Sequence, residues 1–138
     1  MKYLSHKNAD ISASFGTALL ASLAPDGGLW MPENIPFFTP DETARLGAMS
    51  FADCATKLAE YFTDESFSKE DLKDLCRDAY NFDVPMKTLS GEKLDPTLAP
   101  DADNFILELF HGPTLAFKDF AARFMGRSAS HLMGTTKQ

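Results

Sequence analysis

The sequence predicts an α/β protein in which a helix-rich N-terminal part precedes the first strand and helix of a second unit. Capping residues followed by apolar residues at intervals of three and four recur in the first 80 residues, as in amphipathic helices. A nearly continuous apolar run then begins at residue 105, and another apolar helical pattern follows it. A strand followed by a helix is typical of α/β architecture.

The first helix is predicted to begin near Ser14 and to run through Leu23. The sequence PDGG at residues 25–28 should end it, because glycine adopts left-handed backbone conformations without a steric penalty. A turn fully accounts for these residues. The apolar segment 29–31, which includes Trp30, is predicted to be extended and packed on this helix.

Three more helices are predicted from their caps. Thr39 precedes Pro40 and Glu42, which combines an N-cap, a first-turn proline and a capping-box acid. Ser50 and Ser68 each precede apolar residues at helical spacing. The predicted helical stripes include both cysteines of the chain, which we expect to be reduced core residues: Cys54 and Cys76.

Charge and composition exclude several classes of protein. The net charge is −7, with +2 on residues 105–138 and therefore −9 on residues 1–104, which disfavours nucleic acid and anionic membranes as partners. The basic C-terminal part is the better candidate for anion binding. The histidines and cysteines lack zinc-site spacing, and the longest apolar stretch is too short to span a bilayer. We therefore expect a cytoplasmic protein without a structural metal.

Residues 83–104 hold several prolines and a glycine among polar residues, so they predict loops around one short extended piece at residues 86–89. We place a domain boundary near residue 100, giving domains 1–100 and 101–138. The run Phe105–Phe110 is predicted to be a strand buried on both faces of a mostly parallel sheet. Because the remaining strands of such a sheet are absent, the chain is expected to be truncated.

Lys118 is the candidate catalytic residue, because it lies in the first turns of the last predicted helix. Unpaired backbone N–H groups and the helix dipole disfavour a cation there, and the adjacent Phe117 and Phe120 are expected to desolvate the amine in part. A neutral amine is the nucleophile that forms a Schiff base with an aldehyde cofactor. A lone lysine at a helix start is nevertheless usually a solvated surface residue.

The run LELFHGPTLAFKDFAARFM at residues 107–125 closely resembles the lysine segment of threonine synthases. The start MKYLS and the run SFGTALLASLAPDGGLWMPE at residues 14–33 resemble the N-terminal domain of the longer, bacterial and fungal type. The resemblance implies that Lys118 holds pyridoxal 5'-phosphate (PLP) in a catalytic domain of the fold type II, tryptophan-synthase-beta-like group. It also implies that Phe117 can contact the cofactor.

The resemblance further implies conversion of O-phospho-L-homoserine and water to L-threonine and phosphate. The family chain is much longer, and its phosphate-cradling loop would follow the lysine helix, so this chain alone is expected to be inactive. Two alternatives remain: a threonine or serine dehydratase of the same fold group, and a non-catalytic binding module. The exposed edge of the strand at residue 105 could also promote self-association.

Three neighbours of Lys118 have structural interpretations. His111 is expected to shape the loop before the helix, although contact with cofactor or substrate stays open. The Thr114 hydroxyl is expected to cap the helix by accepting from a backbone N–H. Asp119 is interpreted as a carboxylate favoured by the helix dipole in an early turn.

Overall fold

A computed structural model describes residues 1–89 and 104–135 of the chain. Within these residues, ten helices and strands follow one another along the sequence. They are β1 Tyr3–Ser5, β2 Ser12–Ala13, α1 Phe15–Ala21, β3 Trp30–Pro32, α2 Pro40–Gly47, α3 Phe51–Phe62, α4 Lys69–Ala79, β4 Met86–Leu89, β5 Asn104–Leu107 and α5 Lys118–Thr135. The predicted boundary near residue 100 lies outside the described residues.

The first three strands form a small antiparallel sheet with the order β2-β1-β3. Tyr3 in the central strand pairs with Ala13 on one side and Pro32 on the other. The Tyr3 hydroxyl donates to the Phe62 carbonyl at 2.8 Å, which fixes the sheet to the end of α3. The segment containing Trp30 is therefore extended, as predicted.

Helix starts follow the predicted caps. The side chains of Ser14, Ser50 and Ser68 each accept a hydrogen bond from the backbone N–H three residues later. Thr39 and Glu42 form a complete capping box, in which each side chain accepts from the other residue's backbone N–H. These bonds satisfy donors that have no partner within the helix.

The first helix ends earlier than predicted. It stops at Ala21, and Ser22 adopts a φ of 63°, so the chain leaves the helix before the PDGG turn. The turn itself forms as expected, with Gly27 at a φ of 72°. A left-handed residue at the end of a helix closes it whether or not it is glycine, although a side chain there is strained.

The hydrophobic core lies where α3 and α4 meet α1 and α5. Its buried members are Ala59, Phe67, Leu72, Leu75 and Cys76. Phe15 from α1 and both Phe124 and Leu132 from α5 pack against this cluster. Cys76 is fully buried and Cys54 is half-buried, and both thiols are free. The last helix is therefore packed directly on the N-terminal helices.

The strand predicted at residue 105 forms, but its environment differs from the prediction. β5 pairs antiparallel with β4, with Phe105 opposite Thr88, and it ends at Leu107. Phe105, Ile106 and Leu107 are exposed. The prediction of a strand buried on both faces in a parallel sheet is thus wrong for the described part of the chain, where β5 has one neighbouring strand and solvent reaches its side chains.

Candidate functional site

The candidate site is the loop that joins β5 to α5. His111 contacts the Glu108 carboxylate at 2.7 Å and stacks on the Phe110 ring, with ring centroids 4.7 Å apart. These contacts hold the first part of the loop close to the end of β5. His111 is therefore engaged in shaping the loop, as expected.

Asp119 holds the second part of the loop. Its carboxylate accepts from the Thr114 backbone N–H and from the Thr114 hydroxyl, both at 2.9 Å, and the residue is only 4% exposed. Thr114 therefore donates to Asp119 instead of capping the helix as an acceptor, so that expectation is wrong. Asp119 is correspondingly a buried structural ligand of the loop, in addition to being an acidic residue in the first turn.

The backbone of the loop depends on close packing around Asp119. A Cβ atom added at Gly112 would lie 2.8 Å from the Cβ of Asp119, too close for any real side chain. Leu115 adopts a φ of 57°, and its N–H donates to the Gly112 carbonyl at 3.0 Å. A branched aliphatic residue in this left-handed conformation is strained, so the surrounding contacts must enforce the turn.

Lys118 lies in the first turn of the last helix, as predicted, but α5 begins at Lys118 itself and therefore later than a helix capped by Thr114 would. The Lys118 side chain is exposed. Phe117 is 66% exposed next to it. Phe120 faces the N-terminal helices, where its ring lies 5.3 Å from that of Phe82 and 5.6 Å from that of Phe51. The expected partial desolvation of the lysine by Phe117 and Phe120 is therefore wrong among residues 1–89 and 104–135, because one ring is exposed and the other turns away.

The two arginines of α5 bind the end of α4. The Arg123 guanidinium donates to the carbonyls of Ala79 and Asp78, at 2.6 and 2.8 Å, and to the Asn81 side chain at 2.8 Å. Arg127 pairs with the Asp78 carboxylate, and this hydrogen bond lowers the pKa of Asp78. Two of the four basic residues that suggested an anion site therefore neutralise the carboxyl end of α4.

The PDGG turn has a structural explanation. The Asp26 carboxylate accepts from the Ser5 hydroxyl at 2.8 Å and from the Gly28 N–H at 2.8 Å, which joins β1 to the turn. The Ser5 hydrogen bond lowers the pKa of Asp26. A side chain at Gly28 would collide with the Ser5 hydroxyl. The hydrogen-bonding groups of these residues are paired with one another, which agrees with the interpretation of PDGG as a structural turn.

Sequence reasoning missed the role of Asp119 and the contacts of Arg123. The contact between Asp119 and Thr114 forms only when the loop closes. The contacts of Arg123 form only when α5 packs on α4. The one available signal was the short spacing between Thr114 and Asp119, but it does not reveal which group donates. Among residues 1–89 and 104–135, no group of acidic, cysteine and histidine residues could hold a metal ion, and no helix is long and apolar enough to cross a membrane.

Comparison with known proteins gives a consistent result. A family model for the N terminus of threonine synthase matches residues 2–80. The threonine synthase of Pseudomonas aeruginosa is 35% identical over 133 residues, which are 96% of this chain and 27% of that protein. The threonine synthase of Saccharomyces cerevisiae is 35% identical over 131 residues, covering 89% of this chain and 24% of that protein.

Solved structures agree with the sequence comparison. The Escherichia coli threonine synthase matches with a TM-score of 0.83 and 30% identity, over 97% of this chain and 29% of that one. A PLP-bound threonine synthase from Brucella melitensis matches with a TM-score of 0.84 and 34% identity, over 100% of this chain and 28% of that one. The chain thus spans less than a third of the length of these relatives.

Proposed function

The chain belongs to the threonine synthase family, and we propose that the protein of which it forms part converts O-phospho-L-homoserine and water into L-threonine and phosphate. Sequence similarity to threonine synthases along 96% of the chain supports this activity. The N-terminal family model, which covers residues 2–80, favours it over the related dehydratases. The proposed arrangement is an N-terminal domain to about residue 100, followed by the start of the catalytic domain.

Lys118 is the proposed attachment point for PLP. Support for this assignment comes from the resemblance of residues 107–125 to the lysine segment of the family and from the similarity of the whole chain to a PLP-bound threonine synthase. The amine is accessible on the first residue of a helix, directly after a loop whose backbone is fixed by a buried carboxylate. Among residues 1–89 and 104–135, its Nζ has no hydrogen bond or ion pair. An accessible and unengaged amine fits an aldehyde cofactor, and the exposed aromatic ring of Phe117 fits a neighbouring planar group.

The residues of this chain have simple roles in the proposed reaction. When bound, PLP supplies the electron sink for charge that develops on the substrate carbons. The Nζ of Lys118 holds the cofactor between turnovers and moves protons to and from substrate carbons as a general base and acid. Phe117 would contact the cofactor next to Lys118. The groups that hold the substrate phosphate are assigned to the rest of the full-length protein.

The first experiment measures cofactor attachment in the full-length protein. Purified protein should show the visible absorbance of lysine-bound PLP, and borohydride reduction followed by peptide mapping should find the cofactor on Lys118. Lys118→Ala should abolish both this absorbance and threonine formation. Lys57→Ala, which removes a lysine on α3 paired with Glu60, is the matched control and should retain them.

A substrate panel tests the reaction itself. Phosphate release and threonine formation should require O-phospho-L-homoserine, while threonine and serine should not be deaminated at a comparable rate. Normal threonine formation by Lys118→Ala would refute the catalytic assignment. A full-length protein that stays colourless and inactive would favour a binding module.

Self-association of the 138-residue chain is a separate prediction. Within the described residues, β5 pairs with β4 on one side and has no strand on its other side, and Phe105, Ile106 and Leu107 are exposed. An unpaired strand edge is a template for pairing with another chain. Sedimentation velocity should therefore show oligomers that increase with concentration, and a clean monomer at high concentration would contradict this.

Placement of the whole protein in the cytoplasm is likewise proposed.

A further inference from the structure

We propose that Asp119 is the positioning residue for Lys118: its buried carboxylate fixes the loop before α5 and so fixes the direction in which the lysine amine leaves the helix. The inference rests on the proposed attachment of PLP to Lys118. It assigns to Asp119 a role beyond that of an acidic residue near a helix N-terminus.

The first argument is burial. Asp119 is 4% exposed while Lys118 and Phe117, the two preceding residues, are exposed. A carboxylate removed from water must have its hydrogen bonds replaced, and leaving it unpaired is strongly unfavourable. The two donors that it finds both belong to Thr114, five residues earlier. The loop conformation and the burial of this carboxylate therefore require each other.

The second argument is the path of the backbone. The Asp119 N–H donates to the Ala116 carbonyl at 3.1 Å, and the Phe120 N–H donates to the Phe117 carbonyl at 3.2 Å. These two short turns enclose Lys118. Because the side chain of Asp119 is held by Thr114 at the same time, the backbone that leads into and out of Lys118 is restrained. Unwinding of these turns would change the backbone path through Lys118 and so redirect its Cα–Cβ bond.

The third argument is the space around the carboxylate. Gly112 lies so close that any added side chain would contact Asp119, which explains the absence of a Cβ there. Closure of the same loop also places Leu115 in a strained left-handed backbone conformation. Two unusual local features, the glycine at position 112 and the left-handed Leu115 bonded to it, therefore accompany the burial of this carboxylate. A carboxylate that merely complemented the helix dipole would need neither of them.

The test compares variants of the full-length protein loaded with PLP. Asp119→Ala removes both acceptors. Asp119→Asn is isosteric and can accept from the Thr114 N–H while donating to the Thr114 hydroxyl. Thr114→Val removes one bond, and Thr114→Ser keeps both. Leu72→Ala, in the core between α3 and α4, is the control for a loss of stability without any change in the loop.

Two readouts are used, and neither depends on turnover. The first is the rate at which PLP is lost to a competing aldehyde scavenger, measured by absorbance at a temperature where each variant remains folded. The second is hydrogen exchange of the amides of residues 112–120 in the protein without PLP. We expect Asp119→Ala to accelerate both by about tenfold or more, with a smaller acceleration for Thr114→Val.

Rescue separates positioning from stability. Asp119→Asn and Thr114→Ser should stay within about threefold of the wild type, because both can keep two hydrogen bonds to the loop. Leu72→Ala should lower the melting temperature and leave both readouts near wild type. Should Asp119→Ala not fold, Thr114→Val decides the matter through the same two readouts.

The inference and the proposed function fail in different ways. If PLP in the wild type is found on another lysine, the proposed function fails. If PLP is on Lys118 and is retained equally well by Asp119→Ala and Thr114→Val, the positioning role alone is wrong. An equal acceleration of PLP loss by Leu72→Ala would also overturn it, because the effect would then follow general stability.

Discussion

The N-terminal helices and the loop before α5 bury opposite kinds of side chain. In the first, apolar residues such as Leu72 and Leu75 are inside and the capping residues are at the surface. In the second, Phe117 and Leu115 are exposed while the carboxylate of Asp119 is inside. The first region is stabilised mainly by removal of apolar surface from water, and the second by hydrogen bonds and shape.

Leu72→Ala should produce the largest effect on this comparison. Leu72 is 3% exposed in the core, so truncation leaves a cavity and should reduce the free energy of unfolding by about 2–5 kcal/mol. The matched control is Leu115→Ala in the loop, where the side chain is 75% exposed and the change should be within about 0.5 kcal/mol. Urea unfolding of the chain, followed by circular dichroism, measures both. Equal losses would show that the two regions are not distinct.

Arg123→Ala tests the connection between the N-terminal helices and α5, the helix that follows the loop. Loss of its three hydrogen bonds to the end of α4 should lower the free energy of unfolding by about 2 kcal/mol. Arg123→Lys should lose an intermediate amount, because an ammonium group cannot reach the same acceptors as a planar guanidinium. The control Arg77→Ala breaks an exposed pair with Asp53 and should have an effect below about 1 kcal/mol.

Tyr80→Phe should change how the free energy of unfolding depends on pH. The Tyr80 hydroxyl donates to the Phe120 carbonyl at 3.1 Å, and its removal should cost about 1 kcal/mol near neutral pH. Burial raises the pKa of Tyr80 to about 12, above the value near 10 of an unfolded chain. The neutral form therefore contributes stability that is complete below pH 10 and is lost as the pH rises through 12.

The Phe variant should accordingly lose less stability than the wild type between pH 10 and pH 12, measured by urea midpoints. Some alkaline sensitivity should remain, because burial raises the pKa of Tyr3 in the same direction. Tyr61→Phe, at an exposed position on α3, should retain the sensitivity of the wild type. Identical pH profiles for wild type and Tyr80→Phe would contradict the assignment.

The smallest expected effect is a gain in the free energy of unfolding. Leu115→Gly relieves the left-handed strain at a φ of 57°, and it should raise the free energy of unfolding by about 0.5–1 kcal/mol after the greater flexibility of glycine in the unfolded chain is subtracted. Ser22→Gly, at a φ of 63° after α1, is the equivalent change in the N-terminal part. A loss of stability in Leu115→Gly would mean that the exposed leucine side chain makes a favourable contact.

The sequence predicted what local chemistry determines. Helix starts at Ser14, Thr39, Ser50 and Ser68 are confirmed, because a cap and its helix lie within four residues of each other. The family and fold class are also confirmed by the matched threonine synthase structures. The position of Lys118 at a helix start is confirmed, whereas its catalytic role stays a prediction.

Features that depend on distant residues were not predicted. The β2-β1-β3 sheet is built from strands of two or three residues, too short to show a periodic pattern. The antiparallel pairing of β5 was missed because an apolar run carries no information about the direction of its partner. The donor and acceptor roles of Thr114 and Asp119 follow from the closed loop, which spacing alone does not specify.

The two free thiols can report how often the core between α3 and α4 opens. Cys76 has no exposed surface, and burial raises its pKa, so the reactive thiolate is both hidden and disfavoured in the folded chain. Cys54 is half-buried on the neighbouring helix. A thiol reagent should therefore modify Cys54 first. The slower rate at which it modifies Cys76 should measure how often this helix pair opens, and no added probe is needed.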